Sequence, residues 1–122
     1  SLVRGTSSKA IIKALRRAGA KKISMVITYP PIKFPCYAGI DFPSQEELAT
    51  FTGGKEMTSE EITEMVRKSI GVDFLGYNDA DNLADAVGMP KDSMCFTCSS
   101  GNYDSLGIKP DFSKREQVKA KI

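Results

Sequence analysis

Ser1-Leu-Val-Arg-Gly-Thr-Ser-Ser-Lys9 is the stretch on which the rest of the chain turns. Two apolar residues, Leu2 and Val3, lead into Arg4-Gly5 and then three hydroxyl residues, Thr6, Ser7 and Ser8, and an amphipathic pattern starts at once. A glycine lets backbone amides converge and the hydroxyls add donors. A helix starting there points its unpaired N–H groups and the positive end of its dipole at the same place. Such a stretch forms an anion pocket. On the local sequence alone a plain Ser/Thr cap after a strand is the simpler reading, and the segments downstream decide between the two.

Working outward, residues from Thr6 or Ser7 to about Ala18 carry a helical period. Ile11, Ile12, Leu15 and Ala18 share one face, and Lys9, Lys13, Arg16 and Arg17 form a solvated face opposite. Gly19 is the stop. Residues 22–29 read as a strand whose continuous apolar centre predicts burial on both faces. Loop, helix and strand in that order, opening on an anion pocket, is the grammar of a parallel α/β sheet with ligands at the strands' C-terminal ends.

The segment from Tyr29 to Pro43 holds four prolines, which forbid regular structure. Its Ile32, Phe34, Cys36, Tyr37, Ile40 and Phe42 are too apolar for a solvated linker, so a rigid loop packed on the domain is expected. Ser44-Gln-Glu-Glu47 and Thr58-Ser-Glu-Glu61 are capping boxes. The first predicts a short helix to about Phe51. The second predicts a longer one presenting Ile62, Met65, Val66 and Ile70 and ending at Gly71. A strand from Val72 to Tyr77 and a helix from Asp79 to Val87 follow, then two glycine turns around Cys95-Phe-Thr-Cys98. Residues 1–108 read as one unit and 109–122 as a polar, basic tail.

A chain of 122 residues, 41% hydrophobic and 26% charged, has the size and composition of one globular domain. Its net charge of +2 is unevenly spread: residues 1–40 hold eight Lys/Arg and no acid, and residues 41–85 hold eleven acids against three bases. A basic first third suits an anionic partner. There is no histidine, which removes Ser-His-Asp and Cys-His catalysis and every His-ligated metal. No run approaches a membrane span and no signal-peptide pattern is present, so the cytoplasm is the expected location, and a start at Ser1 rather than Met is expected of a processed product or a fragment. The Cys95–Cys98 pair is open to three readings: a zinc half-site, a redox dithiol, or half of an iron–sulfur ligand set. The turn-forming Ser99-Ser-Gly-Asn-Tyr103 after it speaks against redox, and Cys36 supplies a third thiol.

Three of these segments together resemble the C-terminal portion of the amidophosphoribosyltransferases. Ser1-Leu-Val-Arg-Gly-Thr-Ser-Ser8 is similar to the end of that family's phosphoribosyl-diphosphate loop, Pro30-Pro-Ile-Lys-Phe-Pro-Cys-Tyr-Ala-Gly-Ile-Asp41 to its proline-rich cysteine segment, and Cys95-x-x-Cys98 with Gly101-Asn-Tyr103 to its C-terminal cysteine pair. The resemblance covers residues 1–103. It implies an α/β fold, part of a type I phosphoribosyltransferase domain with a Rossmann-like parallel sheet and a C-terminal helical and loop extension. It also implies the family's chemistry, in which ammonia drawn from glutamine displaces diphosphate from phosphoribosyl diphosphate to give 5-phosphoribosylamine, the first step of purine synthesis. The 5′-phosphate grip then falls to Ser1, Val3, Arg4, Gly5, Thr6 and Ser7, with no catalytic nucleophile in this chain. Cys36, Cys95 and Cys98 become three of the four ligands of a [4Fe–4S] cluster carried by one branch of the family, the fourth lying upstream. The acids that bind Mg²⁺, and the glutaminase domain, would also lie upstream, and the full-length protein would be a homo-oligomer. Ser7 stands where the family usually has a threonine, which keeps the hydroxyl.

The alternative is a small zinc-stabilised module that contacts nucleic acid through its basic first third, needing a fourth ligand from an acid or a partner. The basic helix carries no aromatic residue to stack on bases, so a nucleic-acid partner is not expected. A transferase with another acceptor, or a phosphosugar sensor, would share the loop without the cysteine segments. A parallel sheet lacking some of its strands is expected to expose apolar surface and to associate.

Overall fold

A computed structural model describes residues 2–38 and 44–110 of the chain. In order these form α1 (Thr6–Arg17), β1 (Ser24–Ile27), α2 (Ser59–Ile70), β2 (Phe74–Tyr77), α3 (Ala80–Val87) and the single turn α4 (Thr97–Ser100). Short 3₁₀ turns lie at Gln45–Glu47, Lys91–Ser93 and Asp104–Leu106. β1 and β2 are parallel, Ser24 opposite Phe74 and Ile27 opposite Tyr77, so the connection between them is a crossover that includes α2.

α2 begins where its sequence says it should. The Thr58 hydroxyl accepts from the Glu61 amide at 3.2 Å, the Glu61 carboxylate accepts from the Thr58 amide at 2.8 Å, and Gly71 closes the helix in the left-handed region. Ile62, Val66 and Ile70 recur every four residues and are buried together with Leu2, Ile12, Ile23, Val72 and Leu75. Full burial of one such side chain is worth about 1.5–3 kcal/mol, so this cluster holds α1, α2 and both strands as one layer pair. Asp79 caps α3, its carboxylate accepting from the Asn82 amide at 2.7 Å.

Four expectations change. The strand at 22–29 is only Ser24–Ile27, and it is buried on one face: Met25 and Ile27 pack against the core while Val26 is 70% exposed. Phe74 on β2, opposite Ser24, is 53% exposed, so the far side of the sheet is an open apolar surface, in line with the expected exposure. On α1 only Ile12 is buried; Ile11 and Leu15 remain 57% and 43% exposed, because α2 covers a single stripe of that helix. The Ser44 capping box does not form: the segment is one 3₁₀ turn, and Ser44 makes no side-chain cap. Leu48 leaves helical geometry and is buried, the Ala49 amide donates to the Val3 carbonyl at 2.7 Å, and the Thr50 hydroxyl donates to the Ile32 carbonyl at 2.5 Å. Tertiary partners for those backbone groups outcompete another helical turn.

Arg16 stays exposed on its face of α1 but is also tied down. Its guanidinium reaches the carbonyls of Ala20 and Lys21 and pairs at 2.6 Å with Asp73, whose same oxygen accepts from the Ile23 amide at 2.7 Å. These bonds hold the Asp73 carboxyl below its ordinary value, the Ile23 amide first and Arg16 second. No helix among the described residues is long and apolar enough to cross a membrane. Ser1, residues 39–43 with Ile40 and Phe42, and the tail beyond 110 lie outside the described residues.

Candidate functional site

The opening stretch folds into a tight entry to α1. Gly5 is its N-cap, at φ 79° and ψ −4°, and no side chain caps the helix. Thr6 is therefore the first helical residue rather than a cap, contrary to the simpler reading of the hydroxyl run. A β-carbon on Gly5 would stand 3.3 Å from Ile70 and 3.8 Å from Ala49, so glycine is required there both by its left-handed backbone and by its close packing. The Lys9 amide donates back to the Gly5 carbonyl at 2.9 Å, which closes the first turn. Without a side-chain cap, and with no acid in the first turn, the helix dipole stays uncompensated. Thr6 and Ser7 are exposed and Val3 and Ser8 half-buried around it. Arg4 pairs with Glu47 at 3.2 Å; both side chains are more than half exposed, and such a pair exchanges readily for another anion. Glu47 is a partner the sequence did not suggest, placed there by the turn that replaces the expected helix. Ser1 lies outside the described residues.

The second site is the meeting of the proline segment with the cysteine pair. The amides of Lys33 and Phe34 both donate to the Cys98 carbonyl at 2.9 Å. The Tyr103 hydroxyl donates to the Pro35 carbonyl, next to Cys36, and its ring meets Tyr37 edge-on at 5.2 Å. Gly101, at φ 76°, lies so close to Phe34 that a β-carbon would stand 2.9 Å from the ring. Tyr29, two residues past β1, donates its hydroxyl to the Cys95 carbonyl at 2.9 Å, lies 3.8 Å from the Cys98 sulfur, and stacks on Phe96 at 5.8 Å between ring centres. Proline-rich backbone has few amides to spend on itself, and here they are spent on the cysteine loop.

Cys36 is half-buried, Cys95 exposed and Cys98 buried, and none is in a disulfide. The Thr97 hydroxyl, 3.4 Å from the Cys95 sulfur, and then the Thr97 amide lower the Cys95 thiol's pKa. Burial raises that of Cys98; the contact with Tyr29 is the next effect and lowers it, and the neighbouring Cys36 and Cys95 add smaller rises. The three thiols thus share one electrostatic neighbourhood. Among the described residues, no three His, Cys, Asp or Glu side chains are placed to hold one metal ion. The cysteine loop is not wholly turn-like as expected: Thr97–Ser100 make one helical turn, stopped by Gly101, though no strand leads into it.

Sequence reasoning singled out Cys36, Cys95, Cys98 and Gly5 as candidates. It passed over Tyr29 and quoted Tyr103 only as part of a motif, since a tyrosine in an apolar segment gives no sign of which carbonyl its hydroxyl will find. Tyr77 at the end of β2 was also missed: its buried hydroxyl has no partner among the described residues, and burial pushes its pKa up to about 12.

No family model matches the chain. Individual proteins do. It is 41% identical over 103 residues to the amidophosphoribosyltransferase of Mycobacterium leprae, covering 84% of this chain and 18% of that one. It is 38% identical over 120 residues to that of Methanothermobacter thermautotrophicus, covering 98% of this chain and 23% of that one. With the chloroplastic amidophosphoribosyltransferase 1 of Arabidopsis thaliana it shares 42% identity over 110 residues, covering 90% and 18%. Among solved structures, it matches the glutamine phosphoribosylpyrophosphate amidotransferase of B. subtilis, complexed with ADP and GMP, at a TM-score of 0.67 and 34% identity over 84% of this chain and 22% of that one. A second, described as the allosteric regulatory enzyme of purine biosynthesis, matches at 0.68 and 33% identity, covering 84% and 21%. The α/β fold with its parallel pair is accordingly that of part of a type I phosphoribosyltransferase domain. The chain spans about a fifth of the length of the curated relatives it matches, and over that span it is homologous to the amidophosphoribosyltransferases.

Proposed function

We propose that this chain supplies the 5′-phosphate grip of an amidophosphoribosyltransferase, which forms 5-phosphoribosylamine from phosphoribosyl diphosphate and glutamine-derived ammonia at the first step of de novo purine biosynthesis. The observation that carries the reading is the entry to α1: a left-handed glycine cap with no side chain on the amides behind it. Val3, Arg4, Gly5, Thr6 and Ser7, with Ser1 before them, surround the phosphate. The amides and hydroxyls donate to its oxygens, and Arg4 leaves Glu47 to add its charge. The chain's part is to fix one end of the substrate so that the anomeric carbon is presented in one orientation, which is catalysis by positioning and electrostatics without a protein nucleophile. α1 has no acid in its first turn to hold Mg²⁺, so the metal that accompanies the diphosphate is left to residues outside this stretch, as is the release of ammonia by a glutaminase domain. We assign residues 1–108 to the transferase and cysteine-bearing unit and 109–122 to a tail, in a homo-oligomer. Three free thiols suit a reducing compartment such as the cytoplasm.

Cys36, Cys95 and Cys98 supply three thiolates to a [4Fe–4S] cluster in this reading. When bound, the cluster supplies iron–thiolate bonds that cross-link the proline segment to the cysteine loop. The hydrogen bonds from Lys33 and Phe34 to Cys98 already hold these two segments together.

Titration of the ¹⁵N-labelled chain with phosphoribosyl diphosphate tests the grip. The amides of Gly5, Thr6, Ser7 and Ser8 should shift together, with inorganic phosphate competing. A folded spectrum in which other residues move and these four do not would overturn the assignment. For the cluster, anaerobic incubation with ferrous iron, sulfide and a small thiol as fourth ligand should load iron and sulfide in equal amounts, and Cys98→Ser should abolish loading.

A further inference from the structure

Glu47 is not among the residues assigned to the phosphate grip, yet its carboxylate reaches into it. It pairs with the Arg4 guanidinium at 3.2 Å, and among the described residues no other acid pairs with Arg4. The first turn of α1 has no acid of its own. The main chain beneath Glu47 is fixed on both sides. The Ala49 amide donates to the Val3 carbonyl at 2.7 Å, which ties the turn to the entry of α1, and Leu48 is buried. The Thr50 hydroxyl donates to the Ile32 carbonyl and the Gln45 side-chain amide to the Lys33 carbonyl, which tie the same turn to the proline segment. The backbone therefore holds Glu47 beside the loop, while its side chain, more than half exposed, can swing about its own bonds.

A carboxylate and a phosphate make the same charge-assisted bonds to a guanidinium, so the two compete for Arg4. The phosphate comes from solution, whereas Glu47 is carried by the chain and is present at a fixed effective concentration. We propose that Glu47 is the resident counter-ion of Arg4 and an internal competitor of the substrate's phosphate monoester, so that it loosens the grip. The inference rests on the grip reading above and adds the residue that sets how tightly the grip holds. Phosphoribosyl diphosphate and 5-phosphoribosylamine carry the same 5′-phosphate, so a grip tight for one retains the other. A carboxylate that takes Arg4 back favours release of the product.

The test titrates the ¹⁵N-labelled chain and Glu47→Gln with inorganic phosphate at low ionic strength, following the amides of Gly5, Thr6, Ser7 and Ser8. Glutamine keeps the length of the side chain and removes its charge. The dissociation constant should fall about fivefold in the variant, and the gain should shrink as salt is raised. In an Arg4→Gln background the same substitution should tighten binding clearly less, because there is no guanidinium left to compete for. If the four amides of the unsubstituted chain respond neither to phosphate nor to phosphoribosyl diphosphate, the grip reading fails and this inference with it. If they respond and Glu47→Gln leaves the dissociation constant unchanged, the grip stands and the role of Glu47 is overturned. An equal gain in both backgrounds overturns it too, since Glu47 would then act as a general surface charge. Should Glu47→Gln disturb the folded spectrum, Glu47→Asp, which keeps the charge and shortens the reach by a methylene, replaces it. Tighter phosphate binding then supports the proposal and unchanged binding defeats it.

Discussion

The two halves of this molecule are held together by different forces. The α1–β1–α2–β2 unit is an apolar cluster of eight buried residues whose spacing is set by helix and strand periods. Among the described residues, the region joining the proline segment to the cysteine loop has a smaller apolar cluster of Ile32, Leu48 and Cys98, with Thr50, Thr97 and Tyr103 also buried. It is also closed by side-chain and backbone hydrogen bonds to carbonyls at Ile32, Pro35, Cys95 and Cys98. Apolar packing is non-directional and tolerates a shift; a hydroxyl aimed at one carbonyl does not. The first unit can therefore serve as a platform, and the second as a fixed frame for the three cysteines.

That contrast predicts how each half breaks. Ile70→Ala should do the most damage, about 2–5 kcal/mol, because it empties the centre of the apolar cluster and withdraws the side chain packed on Gly5. Denaturant unfolding measures it, and the amides of the α1 entry should broaden with it. A loss under 1 kcal/mol would mean that the platform is not the stabilising half.

Gly101→Ala comes next, at about 1–3 kcal/mol. It forces a side chain into a left-handed turn and against the Phe34 ring. Combined with Phe34→Ala, the two losses should be less than additive, since the clash is then gone. Strict additivity would show that the frame does not depend on this contact.

Thiol reactivity gives a smaller and more local effect. With the Cys95 pKa lowered by Thr97 and that of Cys98 raised by burial, iodoacetamide at neutral pH should modify Cys95 well before Cys98, and Thr97→Val should narrow the gap. The raised Cys98 value also has a sign for stability. The neutral thiol is favoured in the fold, so the contribution is whole below the unfolded value of about 8.5 and is lost as pH rises through the folded one. Mass spectrometry of the alkylated chain reads the order, and equal rates would discard the contrast between the two sulfurs.

The smallest effect is expected at Asp73. Its folded pKa is lowered, so its contribution is present above the unfolded value of about 3.9 and fades as pH falls through the folded one. Asp73→Asn should flatten the acid side of the melting-temperature profile. An unchanged profile would leave the tie among α1, β1 and β2 to packing alone.

Much of the platform could be read in advance. The Thr58–Glu61 box, the four-residue spacing of Ile62, Val66 and Ile70, and Gly71 each carry a local signal that the fold obeys. The identical pattern at Ser44 misled, because Leu48, Ala49 and Thr50 found partners on the opening stretch and the proline segment that a local rule cannot see. β1 looked buried on both faces because an apolar run records composition and not which face is covered; Val26 faces open space.

By itself the sequence determined the residue types on which both sites depend: a glycine where the backbone must turn left-handed, hydroxyls behind it, and three thiols in two segments. Their order in the chain also carried the family resemblance. Only the tertiary structure decided that Gly5 rather than a hydroxyl caps α1, that Arg4 meets Glu47, and that Tyr29 and Tyr103 pin the cysteine segments. The reason is one of range. Periodicity and backbone preference act over a few residues and are written locally. A hydroxyl 66 or 68 residues from its carbonyl finds that partner only after the apolar platform has brought the two together.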